Sequence, residues 1–157
     1  MPRMPAGRHR FGSFLATSLA WALALFGLTL LTGGSASAAE NLLLNPGFES
    51  GTTSGWTCGE GTSVQSGTKH SGAYALQGTP AGMSYAECTQ KVTVQPNSAY
   101  TLSAWVQGPY VYLGARGTGG TDPATWSTGS SWNRLTTSFT TGANTTSVTV
   151  YLHGWYG

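Results

Sequence analysis

The strongest constraint on this chain's fold is the way its side chains alternate. From residue 41 to residue 155 no stretch repeats apolar residues at helical spacing. Short period-two runs recur instead, parted by clusters of Gly, Pro, Asn and Ser. That pattern builds antiparallel sheets and excludes helical bundles and alternating α/β layers. No repeat of fixed period runs through it, which argues against a propeller or solenoid. The runs predict strands over 41–45, 63–66, 74–77, 85–94, 99–107, 110–115, 132–140 and 147–155. Pro46-Gly47, residues 67–72, Pro96-Asn97 and Gly108-Pro109 read as turns, and 116–131 as a Gly/Thr loop.

The first 38 residues read as an address. Arg3, Arg8, His9 and Arg10 precede an apolar stretch from Phe11 to Leu31, and Ala36-Ser37-Ala38 fits the small-x-small cleavage rule. The expectation is a secretory signal peptide over 1–38 and a secreted, extracellular body over 39–157, outside the membrane once cleaved; a membrane anchor is the alternative. The body is long enough to bury roughly two-thirds of its surface and stand as one domain.

Charge narrows the partners. Only 8% of the 157 residues are charged, against 11% aromatic. The body carries four basic groups (Lys69, Lys91, Arg116, Arg134) and five acids (Glu40, Glu49, Glu60, Glu87, Asp122). So neutral a surface offers no basic patch for phosphates, so nucleic acid is not an expected partner.

Alternation also assigns faces. Tyr100, Leu102, Ala104 and Val106 share one face of their strand; Thr101, Ser103, Trp105 and Gln107 share the other. Val111 and Leu113 oppose Tyr110 and Tyr112; Val148, Val150 and Leu152 oppose Thr149, Tyr151, His153 and Trp155. If these strands share a sheet, Trp105, Tyr110, Tyr112, Tyr151, His153 and Trp155 form one outer surface. Such a surface suits sugars: a pyranose lays its apolar C–H face on an aromatic ring, while its hydroxyls need polar groups at the edge. The predicted stacking residues are Trp105, Tyr112, Tyr151 and Trp155, with His153 beside them. Gln107 and Arg116 are the predicted edge hydrogen-bonders, with Asn133 as a further candidate. The same rings could instead fill a second layer of the sandwich, or form cross-strand pairs that only stabilise it. Trp56, Trp126 and Trp132 stay open between loop packing and rim contact.

Cys58 and Cys88 are the body's two cysteines. Export favours a disulfide between them. Two free buried thiols are the alternative, and no His lies at zinc-finger spacing from either.

Asn41-Leu42-Leu43-Leu44-Asn45-Pro46-Gly47-Phe48-Glu49-Ser50-Gly51, followed by Gly55-Trp56, resembles the opening of secreted carbohydrate-binding modules of the family 4/9/22 type. His70-Ser71-Gly72-Ala73-Tyr74-Ala75-Leu76 and Tyr100-Thr101-Leu102-Ser103-Ala104-Trp105-Val106 match two later signatures of that group. Tyr110-Val111-Tyr112-Leu113-Gly114 and the run Val150-Tyr151-Leu152-His153-Gly154-Trp155-Tyr156-Gly157 resemble, more particularly, modules at the N-terminus of actinobacterial family 18 chitinases. The resemblance implies an all-β jelly-roll sandwich with a concave face that binds chitin or a related β-glycan; the expected state is a monomer. It also implies a structural calcium with Glu49 as a ligand. Such modules continue into one more strand bearing an Asp that helps hold the calcium. The chain stops at Gly157, and the expectation is a fragment lacking that strand and any catalytic domain.

Catalysis would need two carboxyl groups flanking a glycosidic bond. No Asp-x-x-Asp-x-Asp-x-Glu run is present. A pair such as Glu60 and Glu87 could meet if the disulfide forms. The expected function is therefore non-catalytic binding that targets an attached glycoside hydrolase to its polymer. The alternatives are a small secreted β-sandwich glycosidase and a surface module that meets a protein partner.

Overall fold

A computed structural model describes residues 40–155. The expected signal peptide lies outside the described residues. Among the described residues nine strands form, all paired antiparallel: β1 (Thr57–Cys58), β2 (Thr62–Gln65), β3 (Ala75–Gly78), β4 (Cys88–Thr93), β5 (Ala99–Val106), β6 (Tyr112–Arg116), β7 (Ala124–Trp126), β8 (Asn133–Thr140) and β9 (Ser147–His153). One sheet has the order β1-β4-β9-β6-β7; β5 pairs with β8, and β2 with β3.

The core lies between the five-stranded sheet and the β5–β8 pair. Val92, Leu113, Ala115, Val148 and Val150 point in from one side and Leu102, Val106 and Leu135 from the other, in a single buried cluster. These are the aliphatic members of the alternating runs, so burying one side of each strand turns the aromatic members outward. Two layers packed in this way are the expected all-β sandwich.

Three expectations change. Residues 41–45 form no ladder. The Leu44 N–H donates to Gln90 Oε1 (2.8 Å), and the Leu44 carbonyl accepts from Gln90 Nε2 (3.0 Å) and from the Trp56 indole (3.1 Å). One buried side-chain amide thus does the work of a neighbouring strand. Gln90 also donates to the Gly55 carbonyl (2.9 Å), tying both ends of the opening loop to β4. The second change is β7, a strand inside the expected Gly/Thr loop. The third concerns Trp105: β5 pairs only with β8, so it lies outside the sheet that holds β6 and β9. Alternation tells which side a residue faces, but it does not tell which of two layers its strand joins.

The disulfide is present. Cys58 and Cys88 are cross-strand partners on β1 and β4, with an S–S distance of 1.97 Å.

Candidate functional site

The outer face of the five-stranded sheet carries rings from three adjacent strands in register. Tyr112 on β6 sits opposite Trp126 on β7 and His153 on β9. The Tyr112 and His153 rings are 4.8 Å apart and 9° from parallel; Tyr112 and Trp126 are 5.6 Å apart at 26°. The row continues past His153 to Tyr85 (5.8 Å), which stacks on Trp155 (5.0 Å). Trp126 and Trp155 are about half exposed, so both ends of the strip meet solvent. The His153 ring is anchored by a 2.7 Å contact between Nδ1 and the Gly154 carbonyl.

Tyr151 lies next along β9 but presents no open ring. It is 8% exposed, with the Arg116 guanidinium 4.1 Å above the ring centroid. Its cross-strand partner is Gly114, where a β-carbon would overlap the phenol. Tyr151 is therefore a supporting ring under Arg116, not the platform expected of it. Burial raises its pKa above the usual phenol value, more than the Arg116 charge lowers it. Arg116 is held in turn by Glu87, with Nη2 to Oε2 at 2.6 Å and Nη1 to Oε1 at 3.1 Å. These hydrogen bonds raise the guanidinium pKa. A stacked, doubly bonded Arg is a fixed donor fork with N–H groups still to offer a ligand's hydroxyls.

The strip thus brings together Tyr112, His153 and Trp155, with Arg116 at its flank over Tyr151. It does not include Trp105 or Gln107: Trp105 faces out from the other layer, and Gln107 follows it at the end of β5. Asn133 likewise starts β8 in that other layer. The strip also holds Trp126, open between loop packing and rim contact in the sequence, and Tyr85, which the sequence reading does not name. Trp56 packs against the core, and Trp132 lies at His70. Tyr110 has a positive φ of 59° and stands outside β6, at half exposure.

Glu49, the carboxylate expected to hold a calcium, bonds the backbone of a neighbouring loop. Its Oε2 accepts the Ala73 N–H at 2.8 Å, and no group of three His, Cys, Asp or Glu gathers among the described residues. What Glu49 does here is fasten the 70–73 loop.

A two-layer antiparallel sandwich with an exposed, in-register row of rings defines a class: sugar-binding β-sandwich modules. The chain belongs to the carbohydrate binding domain family, whose model matches residues 40–157. It is 55% identical over 144 residues to Exochitinase 1 of Streptomyces olivaceoviridis, covering 91% of this chain and 24% of that protein. The chain thus spans about a quarter of that relative's length. Among solved structures, a family 16 carbohydrate binding module matches with a TM-score of 0.59 at 24% identity, over 72% of this chain and 88% of that one. A family 61 module in complex with β-1,4-galactotriose matches with a TM-score of 0.53 at 22% identity, over 76% and 91%. The xylan-binding family 22 domain of Paenibacillus barcinonensis gives 0.53 at 24%, over 76% and 87%. These structures share the fold.

Proposed function

We propose that this module binds a β-linked polysaccharide, chitin first among them, along the Trp126–Tyr112–His153–Tyr85–Trp155 strip. The observation that carries the reading is the register of Trp126, Tyr112 and His153 on three neighbouring strands. Adjacent strands lie ~4.8 Å apart, about the length of one sugar unit. A chain running across the strands would meet rings at successive residues. Arg116, held by Glu87 and stacked on Tyr151, supplies donors at the chain's edge. The strip's floor is fixed, so little side-chain freedom is lost on binding.

Likeness to an exochitinase supports chitin as the polymer and supports a role in delivering an attached, secreted chitinase to it. The module then acts by raising the enzyme's local concentration on the polymer. The Cys58–Cys88 disulfide fits an oxidising, extracellular setting. Glu87, already paired with Arg116, acts as a positioning group and not as half of a catalytic pair.

The test is calorimetric titration with chitohexaose, with xylohexaose and cellohexaose as rivals. The expected result is binding to chitohexaose that falls at least tenfold in Tyr112→Ala, with no release of reducing sugar. Undiminished affinity in Tyr112→Ala would remove the strip as the site; a stronger response to another oligosaccharide would reassign the ligand.

A further inference from the structure

A second group of rings occupies the outer face of the β5–β8 pair, on the layer opposite the strip. Trp105 is 50% exposed. The His70 ring lies 4.0 Å from it and 12° from parallel, and Trp132 meets His70 edge-on at 5.5 Å. The arrangement is built, not incidental. His70 arrives on the loop that Glu49 fastens through Ala73, and a β-carbon at Gly72 (φ +70°) would overlap the Glu49 carboxylate. Around Trp105 the face is hydroxylic: Thr101 bonds Ser138 (3.1 Å), and Arg134 donates to Ser103 (3.0 Å).

An open groove follows the segment from Trp126, at the end of the strip, through Ser131 to Trp132 and Asn133. That segment leaves the five-stranded sheet at β7 and enters the other layer at β8.

We propose that Trp105, His70 and Trp132 form a second contact station for the same class of polysaccharide, engaged by insoluble polymer and not by a single short oligosaccharide. The inference rests on the reading of the strip as a glycan site and adds the physical form of the ligand. Exposed rings bordered by hydroxyls match a sugar's apolar face and its polar rim. Arg134, the charged residue opposite Trp105 on β8, is already bonded to Ser103. With two stations on one module, once one holds a chain the other meets its neighbours at high effective concentration.

The experiment compares Trp105→Ala, Trp105→Phe and His70→Ala with the parent chain, by retention on insoluble chitin and by titration with chitohexaose. Trp105 and His70 are exposed enough for all three variants to fold, and equal melting temperatures check this. The expected result is chitohexaose affinity within about twofold of the parent for all three. Retention on insoluble chitin should fall at least fivefold in Trp105→Ala, at least twofold in His70→Ala, and little in Trp105→Phe. Parent-like retention of Trp105→Ala and His70→Ala overturns the inference, and would instead suit a protein partner for this face. Failure of the strip itself shows separately, as Tyr112→Ala that still binds chitohexaose.

Discussion

The Tyr151 phenol lies across Gly114, its cross-strand partner, and no larger residue fits beneath it. A β-carbon at 114 would also overlap the Pro123 carbonyl. Gly114→Ala must therefore lift the ring or part β6 from the 123–124 segment. Overpacking of this kind costs about 1–3 kcal/mol. It should also displace Arg116 from its stack and weaken glycan binding. Urea denaturation and titration of Gly114→Ala check both effects; an unchanged midpoint with parent affinity would contradict the account.

Arg116 and Glu87 separate binding from stability. The pair is substantially exposed, with side chains 49% and 32% accessible. Exposed pairs contribute about 0–1 kcal/mol, so Glu87→Gln should hardly move the melting temperature. It should lower oligosaccharide affinity severalfold, because the guanidinium loses the partner that fixes its plane. Arg116→Lys should lose more, since a point charge replaces a flat donor fork. Equal affinities in the parent and both variants would show that the edge donors lie elsewhere.

Gln90 explains why the opening motif folds without a strand. Its amide pairs with Leu44 N–H and with the Leu44 and Gly55 carbonyls while only 5% exposed. Gln90→Leu keeps the volume and takes the amide from the Leu44 N–H and the Gly55 carbonyl, while the Leu44 carbonyl keeps the Trp56 indole. The expected cost is about 2–3 kcal/mol, read as a shift in urea midpoint. A loss under about 0.5 kcal/mol would mean that water replaces the amide readily.

Much of this was legible in the sequence. Alternation named the inward residues of β5, β6 and β9 correctly because a strand's side chains have only two directions. It placed Tyr112 and His153 on one surface because β6 and β9 do pair. It failed for Trp105 because layer membership depends on long-range pairing, which one strand's pattern does not encode. The opening run of leucines imitates a strand, yet Leu42 and Leu44 stay exposed and Leu43 packs inward, with a side-chain amide in place of a ladder. Trp126 was hidden because three residues between Gly-rich flanks are too short to show a period. Tyr151 alternates outward as expected, but its burial comes from Arg116 and from Gly114, neither of them on its own strand.

Asp122 gives the fold an acid-sensitive loop. Its carboxylate accepts N–H groups from Thr118 (2.9 Å) and Gly117 (3.1 Å) and the Thr118 hydroxyl (2.8 Å). The Thr118 backbone bond is the chief cause of a pKa below the usual carboxylate value. A depressed folded pKa means stability that is present above the unfolded value, ~3.9, and lost as pH falls through the lower folded value. Asp122→Asn should therefore lower the melting temperature at pH 7. The gap between variant and parent should narrow below about pH 4. A constant gap from pH 7 to pH 2.5 would show that ionisation of Asp122 is not what holds the loop.

The Cys58–Cys88 bridge closes a segment of 30 residues that includes the β2–β3 hairpin and Tyr85 of the strip. Loop-closure entropy for that length stabilises by about 3.5 kcal/mol. Cys58→Ser with Cys88→Ser should lose roughly that amount in urea denaturation, or about 2–5 kcal/mol, as should the reduced parent. The consequence for binding is graded along the strip. Tyr85 lies inside the closed segment, whereas Tyr112, Trp126 and His153 lie outside it, on β6, β7 and β9. Reduction under folding conditions should loosen the Tyr85–Trp155 end and shorten the strip. Affinity for chitohexaose should then fall more than affinity for chitotriose. A uniform loss for both lengths would place the bridge's effect in the whole fold and not at one end of the site.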